Sequence, residues 1–119
     1  MTNLKNSVRL IGHLGQTPEV KTTTNGKKVA NFSLATNDSF KDVNGQKISE
    51  TMWHNLVVWG KQVDIVEKYL DKGQEIAIEG KLTNRNYVDK SGVKKYVTEI
   101  WVNDFHMIGP KDKIKVKQV

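Results

Sequence analysis

Residues 51–61 have the sequence T-M-W-H-N-L-V-V-W-G-K, and their β-branched and aromatic side chains are typical of a strand. Successive side chains of a strand point to opposite faces, so Leu56 and Val58 share one face. Trp53 and Trp59 share the other. Because Leu56 and Val58 have the character of core residues, the alternation places both indoles on the face opposite the core.

Two tryptophans directed away from a core suggest a binding partner, since an indole is a large flat apolar surface with one polar atom. The chain carries 19 Lys and Arg against 13 Asp and Glu, a net charge of +6, and a basic protein favours polyanionic partners. Solubility explains the charge alone equally well. A nucleobase with its phosphate attached would satisfy both the indoles and the charge.

Length and composition exclude several classes of protein. A chain of 119 residues, 37% hydrophobic and 27% charged, is most simply one domain with one modest core. The absence of cysteine excludes disulfides and thiolate chemistry, and three isolated histidines predict neither a metal site nor a cofactor. No apolar segment resembles a signal peptide or a membrane span, so we expect a cytoplasmic protein and no membrane partner.

Turn-forming dipeptides divide the chain into hairpins. Asn-Gly or Ser-Gly pairs, which suit tight turns, occur at 25–26, 44–45 and 91–92. Segments with period-two alternation predict five strands, at roughly 7–14, 28–38, 50–59, 74–87 and 94–108. Residues 61–70 instead have apolar side chains at helical spacing, and Gly73 suits the end of a helix.

The order strand, strand, strand, helix, strand, strand is that of an OB-fold, a small partly open barrel. We therefore predict an all-β protein with one short helix, folded as a five-stranded OB-fold barrel with long hairpin loops. Residues 1–109 form this domain, and 110–119 form a short basic tail. In OB-folds, the face of strands 2 and 3 binds oligonucleotides or oligosaccharides, and both tryptophans of 51–61 fall on predicted strand 3.

The chain resembles the bacterial single-stranded DNA-binding proteins. The similarity runs from Asn6 to Ile108 and includes residues 51–61. The other matching stretches are N-S-V-R-L-I-G-H-L-G-Q-T-P-E-V from Asn6, G-K-K-V-A-N-F-S-L-A-T-N from Gly26, Y-L-D-K-G-Q-E-I-A-I-E-G-K-L from Tyr69 and K-Y-V-T-E-I-W-V from Lys95. The resemblance implies a non-enzymatic homotetramer that coats single-stranded DNA, without strong sequence preference, during replication, recombination and repair.

The resemblance also implies four base-stacking side chains, which are Trp53, Trp59, Phe40 and Tyr87. Each has a competing structural explanation. The two tryptophans could be buried between subunits, Phe40, in the predicted loop between strands 2 and 3, could fold back onto the barrel, and Tyr87 could be a cross-strand structural residue. Trp101 faces outward from its strand, and we expect another subunit to cover it.

Basic residues are interleaved with these aromatics, as a sequence-tolerant single-strand groove requires. Residues 81–95 alone carry five basic side chains and one aspartate, a local charge of +4. The predicted phosphate-binding residues are Arg85, Lys41, Lys47, Lys61, Lys81, Lys90, Lys94 and Lys95. The pattern carries this prediction, because any single lysine is equally typical of a solvated surface.

The chain departs from the family pattern at its C-terminal end. Family members usually end in an acidic tip that recruits replication and repair enzymes, whereas residues 110–119 carry four lysines and one aspartate, a charge of +3. Recruitment of such enzymes is therefore in doubt, and we expect the basic tail to add modestly to DNA affinity.

Three alternatives remain open at this stage. The first is an OB-fold primosome accessory subunit, which would more typically be a dimer than a tetramer. An OB-fold nuclease is disfavoured because the 13 acidic residues are scattered and form no convergent carboxylate cluster in the sequence. A protein-interaction module without nucleic acid is disfavoured by the outward-facing indoles.

Overall fold

The computed structural model describes residues 4–108 as six strands and one helix. The elements are β1 (Val8–Leu14), β2 (Glu19–Thr22), β3 (Lys28–Lys41), β4 (Lys47–Trp59), α1 (Gln62–Tyr69), β5 (Glu75–Val88) and β6 (Lys94–Met107). All five predicted strands and the predicted helix are present. The additional element is β2, a short strand that pairs with the start of β3. The predicted tail, 110–119, lies outside the described residues.

The strands form one sheet in the order β1-β5-β6-β4-β3-β2, and a further pairing of β1 with β3 closes it into a barrel. The closing contact joins His13 to Ala35 and Leu14 to Leu34. Gly12 makes this crossing possible, because a Cβ at this position would collide with the carbonyl of Ala35. The five strands β1, β3, β4, β5 and β6 therefore build the predicted OB-fold barrel.

The interior of the barrel is filled by the side chains that the alternation of β4 predicts. Leu56 and Val58 are each only 1% exposed, and they lie opposite Phe32 and Ala30 of β3. Helix α1 contributes the buried side chain of Val63 to the same cluster. Fully burying a side chain of this size contributes about 1.5–3 kcal/mol, so these inward-facing side chains stabilise the barrel.

Two hairpins extend beyond the barrel as two-stranded ribbons. The β3–β4 arm, residues 37–51, continues the β3–β4 ladder in unbroken register up to the pair Lys41 and Lys47. The β5–β6 arm, residues 84–98, continues the β5–β6 ladder beyond an irregularity at Glu79 and Gly80. The long loops that the sequence predicts are thus mostly strand, and only 42–46 and 89–93 form the turns.

The placement of Phe40 in a loop is wrong. Phe40 belongs to β3 and lies directly opposite Ile48 of β4. The segment around it contains no alternation of apolar and polar residues, because both faces of an isolated ribbon contact solvent. An amphipathic pattern is the main sequence signal for a strand, so an exposed ribbon of polar residues does not show it.

Candidate nucleic-acid interface

The face of β4 opposite the core continues across the barrel onto β6 and β5. Val57 and Trp101 are neighbours across the parallel β4–β6 pairing, and Trp101 lies opposite Lys81 of β5. Side chains on these three strands therefore share one surface, which we call the outer face. Its members are Trp53, Asn55, Val57 and Trp59 of β4, Lys81, Thr83, Arg85 and Tyr87 of β5, and Lys95, Val97, Glu99 and Trp101 of β6.

Trp53 and Trp59 lie on the outer face with their rings accessible, as predicted. Trp53 is 62% exposed and Trp59 is 39% exposed. The six-membered ring of Trp53 passes over Gly15, where any Cβ would collide with it. The glycine therefore allows the indole to lie close to the backbone where β1 and β3 meet, which restrains it while it remains open to a ligand.

Trp101 belongs to the outer face, in line with its predicted outward direction, and it contacts Trp59 there, which the alternation alone does not predict. Its ring meets the ring of Trp59 edge-on, with centroids 5.9 Å apart and planes at 60°. The Nζ atom of Lys81 lies 5.5 Å from the Trp101 ring centroid. Cover by another subunit remains a prediction for Trp101, but within one chain it already supports Trp59. Only the non-local pairing of β4 with β6 brings the two residues together.

Tyr87 extends the outer face onto the β5–β6 arm. Its side chain is 45% exposed, and the guanidinium carbon of Arg85 lies 5.9 Å from its ring centroid, within the range of a cation–π contact. Arg85 Nε also donates a hydrogen bond to Glu99 Oε1 at 3.3 Å. The arginine therefore contacts the arm's aromatic residue and a carboxylate at the edge of the barrel.

Phe40 is not part of the outer face. Along the unbroken β3–β4 register, Ala35 pairs with Trp53 and Phe40 pairs with Ile48. Residues of one strand whose numbers differ by an odd amount point to opposite faces. Phe40 therefore lies on the face of the ribbon opposite Ala35 and Trp53. It is 48% exposed. Its role in stacking remains a prediction that depends on how DNA passes the arm.

The predicted phosphate-binding lysines are distributed along the barrel and both arms. Lys41 and Lys47 face each other at the end of the β3–β4 arm, Lys95 lies opposite Tyr87, and Lys94 Nζ lies 5.5 Å from the ring centroid of Tyr96. Within residues 4–108, none of the predicted lysines Lys41, Lys47, Lys61, Lys81, Lys90, Lys94 and Lys95 forms an ion pair. Their charges thus remain available to an anionic ligand.

A groove of about 1100 Å³ lies beside the Trp59–Trp101 pair, and its lining includes Lys27, Lys61 and Lys81. Lys28 also lines it, but its Nζ lies 3.0 Å from Asp64 Oδ1 of α1. The hydrogen bond from Lys28 to the Asp64 carboxylate raises the pKa of Lys28 above its ordinary value. The groove therefore combines two aromatic rings with three cations that have no carboxylate partner among the described residues.

Residues 4–108 contain no group of three or more His, Cys, Asp or Glu side chains arranged to hold a metal ion. Within the same range, no helix is both long and apolar enough to cross a membrane. A smaller cavity of about 200 Å³ lies beside the outer face, and its lining includes Asn31 of β3, Asn55 and Glu99.

Comparison with known proteins identifies the family. A model described as "Single-strand binding protein family" matches residues 5–108. Single-stranded DNA-binding protein 1 of Chlorobaculum tepidum is 50% identical over 108 residues, which cover 90% of this chain and 67% of that protein. The single-stranded DNA-binding protein of Bacteroides thetaiotaomicron is 45% identical over 108 residues, covering 89% of this chain and 67% of that protein.

Solved structures agree with this comparison. A structure described as a Plasmodium falciparum SSB complex with single-stranded DNA superimposes with a TM-score of 0.81 at 36% identity, covering 87% of this chain and 95% of that chain. A deletion mutant of the single-stranded DNA-binding protein from Thermus aquaticus superimposes with a TM-score of 0.77 at 29% identity, covering 92% of this chain and 53% of that one. The chain belongs to the single-strand binding protein family.

Proposed function

We propose that this protein binds and coats single-stranded DNA by stacking bases on its aromatic side chains and neutralising phosphates with its lysines. One observation carries the proposal: Trp53, Trp59 and Tyr87 share a continuous outer face bordered by lysines that have no ion-pair partner among residues 4–108. Aromatic platforms within a basic groove are the arrangement that sequence-tolerant single-strand binding uses. The relatives named for this activity support the same function.

The mechanism combines base stacking with charge neutralisation. Each base that stacks on an aromatic ring contributes about 1–3 kcal/mol, and every base has a π-face, so stacking does not select a sequence. The sugar-phosphate backbone between the stacked bases would then pass Lys61 and Lys81 on the barrel and Lys95 on the β5–β6 arm. Phe40 would add a fourth platform if the strand continues along the β3–β4 arm.

The proposal extends to the biological role and assembly. Coating prevents single strands from re-pairing and protects them from nucleases during replication, recombination and repair, and it requires no catalytic step. We further propose a homotetramer, because β1, which contributes no member of the outer face, has exposed apolar surface. Ile11 there is 61% exposed and borders a groove of about 500 Å³ between β1, β5 and β6.

Tryptophan fluorescence tests the binding directly. Titration with oligo(dT) should quench the emission strongly at low salt, because bases would stack on Trp53 and Trp59. A duplex of the same length is the matched control and should quench far less. An unchanged emission with oligo(dT) would contradict the proposal.

Light scattering tests the assembly. A homotetramer would have four times the chain mass of 13.5 kDa, whereas the dimer expected of a primosome accessory subunit would have twice that mass. A mass of one chain at micromolar concentration would contradict oligomer formation altogether.

A further inference from the structure

Glu99 is a buried carboxylate on a surface that otherwise suits phosphates. It is 8% exposed, and it is the only charged residue among the described positions that is buried to this degree. An ionised side chain is costly to bury unless it is paired and hydrogen-bonded. A carboxylate among stacking platforms would also repel the DNA backbone. The hydrogen bonds of the Glu99 side chain explain why a carboxylate is buried there.

One oxygen of Glu99 accepts two hydrogen bonds from the outer face. Arg85 Nε donates to Oε1 at 3.3 Å, and Trp101 Nε1 donates to the same atom at 3.1 Å. Arg85 lies opposite Val97 in the ladder, so its side chain leans towards the barrel to reach Glu99. Thr83, directly opposite Glu99, donates a hydrogen bond to the Glu99 backbone carbonyl at 3.2 Å.

Both donors in turn contact a predicted stacking platform. Arg85 is placed over Tyr87, 5.9 Å from its ring centroid, and Trp101 meets the ring of Trp59 at 5.9 Å. A continuous series of contacts thus runs Tyr87, Arg85, Glu99, Trp101, Trp59. It connects a platform on the β5–β6 arm with a platform on the barrel, and Glu99 is its centre.

We propose that Glu99 is a positioning residue, which holds the Tyr87 and Trp59 platforms in their relative arrangement before DNA binds. This inference rests on the proposed function. It also changes the role of Arg85: because its charge is balanced by Glu99, Arg85 orients Tyr87 and is not a full phosphate contact. Lys81 remains a full phosphate contact, because it has no ion-pair partner among residues 4–108.

Salt dependence separates these roles. On single strands, the log–log slope of affinity against salt is about −0.7 for each neutralised phosphate. In Glu99→Gln, the released Arg85 charge should make the slope steeper by up to about 0.7. The same variant should bind about five- to tenfold more weakly at high salt, because the Tyr87 and Trp59 platforms would lose the support that aligns them for stacking.

Other results for Glu99→Gln would overturn the inference. Tighter binding at every salt concentration would mean that Glu99 only repels phosphates. An unchanged slope with a lower melting temperature would mean that Glu99 only stabilises the fold. Unchanged affinity and slope would mean that it has no part in binding.

The double variant Arg85→Gln/Glu99→Gln guards against a folding defect, because it removes both charges and leaves no unpaired buried ion. We expect weaker binding at all salt concentrations with an unchanged slope. Lys81→Gln is the matched comparison and should make the slope shallower by about 0.7. A double variant that loses as much slope as Lys81→Gln would overturn the role assigned to Arg85.

The controls distinguish this inference from the proposed function. Thr98→Val removes a hydrogen bond to Asn84 on the opposite side of the same hairpin and leaves the Glu99 contacts in place, so its affinity and slope should match those of the unmodified protein. If the unmodified protein fails to bind oligo(dT), the proposed function fails. If it binds while Glu99→Gln and the double variant bind equally well, only the positioning role fails.

Discussion

The two arms share the same scaffold. Asp42 Oδ1 accepts backbone hydrogen bonds from Asn44 at 2.9 Å and Gln46 at 2.8 Å. Asp89 Oδ1 accepts the equivalent bonds from Ser91 and Val93, both at 2.9 Å. Glycines with φ of 80° and 82° follow in the two turns, a conformation that costs glycine little. At the base of each arm, a threonine hydroxyl donates to the opposing asparagine.

The arms differ in how their aromatic residues are supported. Tyr87 lies under Arg85, which Glu99 connects to the barrel. Phe40 instead faces Ile48, and beyond it Lys41 lies opposite Lys47, although like charges directly opposite each other destabilise a sheet. An anion between these two lysines would relieve that repulsion. The β5–β6 arm therefore presents a positioned ring, whereas the ring of the β3–β4 arm has no such support among the described residues.

The largest effects should come from the barrel platforms between the arms. Trp53→Ala and Trp59→Ala should each weaken oligo(dT) binding by about 1–3 kcal/mol, because each removes one stacking surface. The core face of β4 is untouched, so the melting temperature should change little for Trp53→Ala and slightly more for Trp59→Ala, which loses its contact with Trp101. Isothermal titration calorimetry and thermal melts measure both quantities.

Met52→Ala is the matched control, because Met52 is an exposed apolar neighbour on the opposite face of β4. It should bind DNA normally. A Trp53→Ala protein that melts far earlier but binds with unchanged affinity would identify Trp53 as structural.

The comparison between the arms is tested next, with Tyr87→Ala and Phe40→Ala. A stacking platform contributes about 1–3 kcal/mol, and we expect Tyr87→Ala to lose an amount within this range and Phe40→Ala to lose less. The reason is that Tyr87 is restrained before binding, whereas Phe40 must be ordered by the ligand at an entropic cost. Equal losses would show that support from Arg85 does not matter, and a larger loss at Phe40 would reverse the comparison.

The same contrast explains what could be predicted from the sequence. The barrel strands and α1 are recognisable because one face of each is buried, which imposes an apolar period. Trp53 and Trp59 are recognisable because they break that rule within an otherwise regular strand. The arms have no buried face, so the sequence pattern predicts a loop at Phe40, although this residue belongs to β3. The short strand β2 has too few residues for a period to show.

Glu99 and Trp101 could not be assigned to the site for a different reason. Their role depends on the parallel contact of β4 with β6, which joins only two residue pairs, Leu56 with Ile100 and Val57 with Trp101. Neither turn chemistry nor alternation specifies that pairing. The alternation does place Glu99, Trp101 and Arg85 on one side of their hairpin once the register is known, and that is the signal that could have found them.

The lysine pair at the end of the β3–β4 arm predicts a smaller effect. Lys41→Gln and Lys47→Gln should each make the salt slope shallower by about 0.7 if both lysines neutralise phosphates. Each should also raise the free energy of unfolding slightly, by about 0.2–1 kcal/mol, because a like-charged pair is removed. Lys68→Gln on α1 is the control and should leave the slope unchanged. A variant that is more stable but has an unaltered slope would exclude the arm from phosphate binding.

The smallest effect should come from the threonine–asparagine hydrogen bond that both arms share, and it should be an effect on stability. Thr51 Oγ1 donates to Asn37 Oδ1 at 2.7 Å, and Thr98 Oγ1 donates to Asn84 Oδ1 at 2.9 Å. Thr51→Val and Thr98→Val should each lower the free energy of unfolding by about 0.2–1 kcal/mol, the range of such cross-strand pairs. Urea unfolding monitored by tryptophan fluorescence measures the change.

Oligo(dT) affinity should be unaltered in both threonine variants, because neither hydroxyl belongs to a stacking platform or carries charge. Equal, small losses of stability would mean that the two scaffolds are equivalent, so that any difference between Tyr87→Ala and Phe40→Ala arises from the platforms themselves. If Thr51→Val alone weakened DNA binding, the base of the β3–β4 arm would control how that arm meets DNA. The contrast between the arms would then lie in their backbones and not in the contacts that Glu99 makes.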